Sequence, residues 1–582
     1  MKRYITILFT LCAVSLSASA QVAKQVEVTK EFAPEISQAK KMDITPNMVD
    51  TITLRPEIDY TITPRSFASE LGTHKFNPAS VTYWEYRRDY PFYLKAGLGY
   101  PLNSVADFYA TTHRPDVGYL TGYVNHYGQY AKLRYDDVAT GKSYKNNKAL
   151  QMANKFGVMG GKYFGRYTLS GDVFYRMDTY HRYPLFDDAF SKRKVDFEDV
   201  NLSLSFGDSF ADYSKFNFKV YASADYYHDK SQHFVSGANY QQINISAGAM
   251  LAREISKRSA LSFNLDYRGY FGIKSLSSYK NSIAQAALMY HYRSGGMLDM
   301  KAGVKFAYDY NPVDTEKKHR YHIFPYLALS LNINDKGVFV PYVEVDGELQ
   351  NNSYYSLVRK NPYVAILGEG NGALQADTAL ANTALYNVRF GVSGHTANSK
   401  FAYRFYANMS FMLNALYWYN INQIYFGVQS ADKNLWSLCA AIDYKPISQL
   451  LLTAEVKGSL YTNFTGKMNM IANALPPVEA MLSARYTHRK FTLGASAKLY
   501  GTTKWTFEQN RQLFDAASTM PVQRSVVTAP ASVDLRLYAD WHITRNCTVF
   551  AEGNNLLNMQ MYRWVFYREM GASFTVGVKA QF

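Results

Sequence analysis

From Pro91 to its last residue the chain repeats one pattern: segments of about nine to eleven residues with an apolar side chain at every second position, the length and period of a tilted bilayer-crossing strand. The clearest are FYLKAGLGY (92–100), KAGVKFAYDY (301–310), IFPYLALSLNI (323–333), LLTAEVKGSL (451–460), FTLGASAKLY (491–500) and VDLRLYADWHI (533–543). In the first, Phe92, Leu94, Ala96, Leu98 and Tyr100 make one face, and Tyr93, Lys95, Gly97 and Gly99 the other. Helical periodicity is nowhere sustained, and nothing downstream of the leader offers a bilayer-length apolar run. A chain of this kind that enters a membrane must do so as a closed barrel, the one alternative to helices that satisfies every backbone polar group in lipid.

The connections carry a second regularity. Short polar ones, such as 163–167, 255–260, 292–296, 333–337, 395–400, 445–449, 486–491 and 543–546, alternate with long ones near 134–150, 178–195, 226–237, 309–320, 351–382, 418–434, 462–477 and 502–529. Outer-membrane barrels have short periplasmic turns and long extracellular loops, so strict alternation predicts an all-β, large transmembrane antiparallel barrel over 91–582. A secreted β-sandwich or propeller, the other home for Tyr-rich strands, has no reason to alternate in this way. Counting hairpins gives about 22 strands, within roughly 18 to 24, and an even number puts both ends on the same side. Composition fits: 16% of residues are aromatic, 50 of them Tyr, while only 19% are charged. A barrel gathers such aromatics in two interfacial girdles.

The two ends of the chain agree. Lys2 and Arg3, an apolar run from Ile5 to Leu16, and Ala18-Ser19-Ala20 read as a signal peptide over 1–20, with cleavage before Gln21. Residues 21–90 form a Pro-rich extended leader, punctuated by Pro34, Pro46, Pro56, Pro64 and Pro78, which remove amide donors and favour extended backbone. At the other end GASFTVGVKAQF alternates to the final atom, with Phe574, Val576, Val578, Ala580 and Phe582 on one face. Phe574 and Phe582 are therefore read as the assembly signal of a closing strand, to be recognised by the barrel-assembly machinery.

The stretch 554–582 resembles the last hairpin of TonB-dependent outer-membrane receptors, in which an Asn-Leu-x-Asn-x-x-Tyr phrase precedes a loop and a Gly-containing strand ends in Phe. Asn555, Leu556, Asn558, Tyr562, Gly571, Phe574, Gly577 and Phe582 carry the match. The resemblance implies a 22-stranded barrel and uptake across the outer membrane. The family's plug domain needs more chain than the roughly 70 residues from Gln21 to Tyr90, so a relative without the usual plug is expected. A TonB box would fall at Val26, Glu27 and Val28, pairing with TonB as an added strand.

Candidate sites follow from alternation. Lys95, Arg268, Lys301, Lys305, Asp534 and Arg536 fall on inward faces, either as a hydrated wall of ion pairs or as the attractor of an anionic solute. Tyr417, Trp418, Tyr419 and Trp564 lie beyond strand ends, where they form either an interfacial girdle or stacking platforms for a ligand. His181, His228 and His233 lack metal-ligand spacing, and neither a metal nor another cofactor is expected. Cys439 is placed inward and Cys547 outward. No nucleophile motif stands out, so the chain is not expected to be an enzyme. Removing Lys2 and Arg3 lowers the formal charge from +16 to about +14, but the basic residues are scattered and predict no nucleic-acid binding. Two functions remain open: a transport barrel whose lumen the leader occludes, with membrane lipid and TonB or another envelope protein as partners and an unknown solute; or a non-transporting scaffold barrel of an envelope assembly or secretion complex.

Overall fold

The computed structural model describes residues 90–136, 143–181, 194–210, 215–231, 239–294, 296–312, 318–333, 337–364, 380–396, 398–463, 475–510 and 521–582. The signal peptide, the leader, the question of a plug and the Val26-Glu27-Val28 segment lie outside the described residues.

The first strands are β1 (Phe92–Tyr100), β2 (Asn103–Arg114), β3 (Gly118–Asp136), β4 (Ser143–Phe164), β5 (Tyr167–His181), β6 (Lys194–Asp208), β7 (Asn217–Asp229) and β8 (Tyr240–Ser256). There follow β9 (Ser259–Lys274), β10 (Lys280–Arg293), β11 (Leu298–Tyr310), β12 (His319–Leu331), β13 (Val340–Gln350), a short helix α1 (Tyr354–Lys360) and β14 (Thr383–His395). The next strands are β15 (Phe401–Ile421), β16 (Tyr425–Ile447), β17 (Leu450–Asn463), β18 (Val478–Thr487), β19 (Phe491–Tyr500), β20 (Thr503–Gln509) and β21 (Gln523–Ala529). The chain ends with β22 (Ser532–His542), β23 (Cys547–Asn554), β24 (Tyr562–Trp564), β25 (Tyr567–Arg568) and β26 (Ser573–Gln581).

Each strand pairs antiparallel with the next, except that β19 skips to β22 and β23 skips to β26. β26 then pairs with β1, from Tyr93 opposite Gln581 to Tyr100 opposite Phe574, which closes a 22-stranded antiparallel barrel. β20–β21 and β24–β25 are hairpins within connections. The closure needs its C-terminal residue: Phe92 N donates to Phe582 O at 3.0 Å, and Phe582 N to Phe92 O at 3.1 Å. Phe574, Val576, Val578 and Phe582 stand exposed on the outer face, which is the alternation a lipid-facing strand requires. On the inner face Gly97 opposes Gly577 because the fully buried Phe550 ring fills that space. A Cβ on Gly577 would lie 2.1 Å from the Ala96 carbonyl oxygen.

The end carrying Phe92 and Phe582 is called the near end. Its connections are mostly short, and those of the far end mostly long. Strict alternation fails at the first far-end connection, where only Pro101 and Leu102 separate β1 from β2. The expected loop at 418–434 is also corrected. β15 and β16 run on past the rim to a tight turn, with Asn422 and Gln423 at φ 50° and 64°. Two consecutive positive φ values match the right-handed twist of the flanking strands, so the hairpin extends instead of opening into a loop.

One seam departs from a regular barrel wall. β11 pairs with β12 along its whole length, whereas β12 and β13 are paired only from Leu327 opposite Val345 to Ser330 opposite Tyr342. The β11 ladder passes unbroken through Pro325, so the donor that proline lacks is missing on the β13 side. Lys305 supplies one instead, its Nζ donating to the Gly347 carbonyl at 2.7 Å. Lower down, Glu344 and Arg389 form an inward ion pair at 2.7 Å. By alternation Gly347, Leu349, Ala384 and Tyr386 then belong to the outer face. Yet Leu349 and Ala384 are buried against Ile283, Ala307 and Phe324, on the inner face of β10–β12, and the Phe324 ring lies 4.8 Å from that of Tyr386. The far parts of β13 and β14 therefore tuck inside the neighbouring wall. This bend brings α1 to the lumen side of the wall.

Candidate functional site: a far mouth closed by its own connections

α1 forms because Ser353 caps it, accepting a bond from Ser356 N at 3.3 Å, and because Tyr354, Leu357 and Val358 share one buried face. Arg359 and Lys360 sit in its last turn, favourable at the negative end of the helix. An asparagine knot roots the segment. Asn382 Nδ2 donates to Asn281 Oδ1 at 3.0 Å and Asp309 Oδ1 at 2.7 Å, and its Oδ1 accepts from Asn351 Nδ2 at 3.2 Å.

The helix docks on the far ends of β5 to β8. Arg359 forms ion pairs with both Asp178 and Asp199. Tyr354 donates to Asp229, Tyr355 Oη donates to Asp199 Oδ2 at 3.2 Å, and Tyr355 N donates to Gln242 Oε1 at 3.2 Å. Burial works against the Arg359 charge, but Asp178, Tyr355 and Asp199 more than reverse this and hold the guanidinium above its ordinary value. Burial likewise pushes the Tyr354 hydroxyl up, and the Asp229 charge adds to it. Removing one partner of such a buried pair costs about 3–5 kcal/mol, because the other charge is left uncompensated.

Above the helix an aromatic cap joins four connections. Tyr363 stacks on Tyr567 with ring centroids 3.7 Å apart. Trp564 lies 5.2 Å from Trp418, 5.3 Å from Phe426 and 5.7 Å from Trp505. Backbone contacts lock the same parts together: β20 adds in parallel to the free edge of β15 at Tyr419–Ile421, Phe426 N donates to Tyr363 O at 3.1 Å, and Tyr567 Oη donates to Ile424 O at 2.5 Å.

Trp418 and Trp564 thus meet in one cluster, with Tyr417 and Tyr419 buried nearby on the same hairpin. The extended β15–β16 hairpin brings rings expected either in an interfacial girdle or in stacking platforms into one buried cluster with those of the other connections. Of the inward charges, Lys95 pairs with Glu552 at 3.3 Å, Arg268 with Asp266 at 2.8 Å, and Arg536 with Asp534 at 2.6 Å. Lys305 holds Gly347 and lies 3.7 Å from Asp346, and Lys301 faces His291 and Ala328 across its ladders. These groups are spread around the wall and form no single cluster. Cys439 and Cys547 are both free thiols, and the described residues hold no grouping suited to a metal ion.

Sequence reading missed Arg359 and its aspartates, which stand far apart in the chain. A signal was present in Asn-Asn-Ser followed by apolar Tyr354, Leu357 and Val358 at helical spacing, the mark of a capped turn inside an otherwise β pattern.

No family model and no curated protein matches the chain. Solved structures do. The FrpB iron transporter from Neisseria meningitidis (F3-3 variant) superposes with a TM-score of 0.63 at 11% identity, over 85% of this chain and 81% of that one. A mutant of the ferric enterobactin receptor PfeA from Pseudomonas aeruginosa gives 0.63 at 9% identity, over 84% and 80%. The copper transporter OprC gives 0.61 at 13% identity, over 84% and 80%. Such neighbours are TonB-dependent receptors, and at these identities the likeness is one of fold. A large barrel with outer-membrane transporters as neighbours supports an outer-membrane location.

Proposed function

We propose that the chain is an outer-membrane transport barrel whose far mouth is held shut by α1 and the aromatic cap until a solute displaces them. The observation that carries this reading is the Arg359 contact. A residue of the β13–β14 connection crosses to Asp178 and Asp199 on β5 and β6 and obstructs a lumen wide enough to leak. A barrel of 22 strands requires an obstruction if it is to be selective. The inward charges serve as its hydrated wall, and the leader over 21–90 contributes to occluding the lumen. Energised uptake would run through Val26, Glu27 and Val28 adding as a strand to TonB. The kinship in fold with metal and siderophore transporters supports transport as the class and leaves the solute open.

The test is planar-bilayer conductance of four proteins: wild type, a deletion of 22–88, Arg359→Ala, and the two changes combined. Transport predicts the largest conductance in the combined protein and a smaller rise in each single change. A combined protein as silent as wild type overturns the reading in favour of a scaffold barrel that passes nothing.

A further inference from the structure

The lipid-facing wall carries three polar side chains that neither the far mouth nor the lumen uses. Ser104 on β2, His126 on β3 and Asn154 on β4 stand on adjacent strands, with His126 opposite Asn154 and Ser104 opposite Gly128. All three belong to the outer face. Ser104 lies across from exposed Leu98, and His126 and Asn154 share the parity of exposed Leu120 and Phe156. The alternate positions turn inward, where Asn125 donates to Asp107 at 2.8 Å and Tyr123 to Asp172 at 3.0 Å.

Ser104 Oγ lies 2.8 Å from His126 Nε2, and His126 Nδ1 lies 2.6 Å from Asn154 Oδ1. An amide oxygen can only accept, so Nδ1 carries the ring proton and the Ser104 hydroxyl donates to the Nε2 lone pair. Nucleophile, base and orienting carbonyl follow one another as in a serine hydrolase triad, with asparagine in the orienting place. An ionisable ring is costly on a face turned to lipid, which favours a function for it. No local motif announces the cluster, because its members come from three strands.

The surroundings suit a lipid ester. Ser104 stands level with Leu98, two residues short of Tyr100, which is 81% exposed at the far end of β1. The chain turns back there through Pro101 and Leu102 while β3 and β4 climb on, so the triad lies just below the far edge of the lipid belt, within reach of water. Leu98, Leu102, Phe156 and Val576 are exposed around it as a bed for an acyl chain. Gly128 keeps the approach to the hydroxyl open, since a Cβ there would come 2.8 Å from Ser104 Oγ and 3.3 Å from His126 Nε2. Four residues beyond Gly128, about 14 Å along β3, Lys132 faces Lys148 of β4, both exposed on the same outer face. Like charges set opposite each other repel unless an anion lies between them, and lysine stems can bend along the wall. The pair therefore suits a headgroup phosphate.

We propose that this wall is an esterase for acyl chains of far-leaflet lipids, with Ser104 as nucleophile, His126 as general base and acid, and Asn154 as a positioning residue. Ser104 Oγ adds to the ester carbonyl carbon while His126 Nε2 takes its proton. The bond from that carbon to the lipid alcohol breaks as Nε2 gives the proton to the leaving oxygen. Water then attacks the acyl-serine, its proton passing through Nε2 to Ser104 Oγ, and the fatty acid departs. The backbone amides beside Ser104 are engaged in the strand ladders, so turnover is expected to be slow, without the gain of a built oxyanion hole. The site is independent of transport, and a scaffold barrel would carry the same chemistry.

The test is the fatty acid released by the full-length barrel in mixed micelles, read by mass spectrometry, with phosphatidylethanolamine in one arm and lipopolysaccharide in the other. Labelling by a fluorophosphonate, mapped on peptides, reports the nucleophile. Release in at least one arm is expected, that arm naming the lipid, together with a phosphonate on Ser104. Ser104→Ala and His126→Ala should each cut release about a hundredfold or more. Asn154→Ala should cut it about tenfold, and Asn154→Asp, which keeps an acceptor for Nδ1, should restore most of it. A role in packing alone would not be rescued by a charge on the lipid face. The heat-modifiable gel shift of a folded barrel is the control for every variant. No release from either lipid overturns the proposal, as does release that persists in Ser104→Ala. Labelling of Ser104 that is unchanged in His126→Ala also overturns it, for it marks an exposed hydroxyl only.

Discussion

The near and far halves of this barrel are drawn from the same strands, yet different forces shape them. In the near half the backbone ladder and the alternation of side chains decide everything: Val578 and Phe582 face outward, Lys579 pairs inward with Asp540 at 2.8 Å, and at mid-wall Phe550 packs over two facing glycines. In the far half the ladder is surrendered at one seam, and side chains take over. Pro325 gives up a donor, Lys305 replaces it, and β13 and β14 fold inward to carry a helix and a set of aromatic rings into the mouth. The near half can therefore be judged one strand at a time, whereas the far half stands or falls as a network.

The sharpest way to break this comparison is a pair of single changes. Gly577→Val places a side chain against the Ala96 carbonyl and the Gly97 Cα at the closing strand pair. It should abolish the folded band on a heat-modifiability gel, the largest effect expected anywhere in the chain. Arg359→Ala should leave that band and its melting temperature in place while removing about 3–5 kcal/mol from the docked state of α1. The readout is a hundredfold or greater gain in protease sensitivity of the connection over 351–382. If Arg359→Ala lowers the barrel melt as much as the mouth, the two halves are one cooperative unit and the comparison fails. Next in size is Trp564→Leu, which deletes three ring contacts worth about 0.5–1.5 kcal/mol each beyond their area. Tryptophan fluorescence should report a looser cap, with the docking of α1 only partly weakened.

The same division explains what could be read from the sequence. Strand existence, barrel closure and the outward face of β26 were legible because a period of two is local and lipid enforces it residue by residue. The Asn-Leu-x-Asn phrase was legible as a resemblance, and its physical basis is now visible. Asn555 and Asn558 adopt φ values of 47° and 49°, and Asn555 closes the turn by accepting from Met559 N at 3.0 Å. The inward bend was not legible, because Gly347, Leu349 and Ala384 keep an ordinary alternating pattern and change surroundings only when β12 ceases to pair with them. Tyr417, Trp418, Tyr419 and Trp564 could be singled out as aromatic. Their meeting depends on two hairpins crossing the mouth, which no local pattern encodes.

The smallest expected effect separates the halves by pH. Glu569 lies in the connection between β23 and β26, its backbone N donating to Met561 O at 2.8 Å. Burial pushes its carboxyl above the ordinary range, Arg563 and Arg536 oppose the shift, and Asp534 adds to it. Tyr127 on β3 also lies within reach of its charge. A carboxyl raised in the folded state binds more protons there than in the opened one. It favours the closed cap while protonated, and that contribution is lost as the pH rises through its raised value. Proteolytic nicking within 554–573 should therefore increase from pH 5 to pH 8, by a few-fold, with no change in the barrel melt over the same range. Glu569→Gln should flatten the dependence at the slow, acid-side rate. A dependence that survives in the glutamine variant would move the titration to another group, and nicking that falls as the pH rises would reverse the sign assigned to this carboxyl.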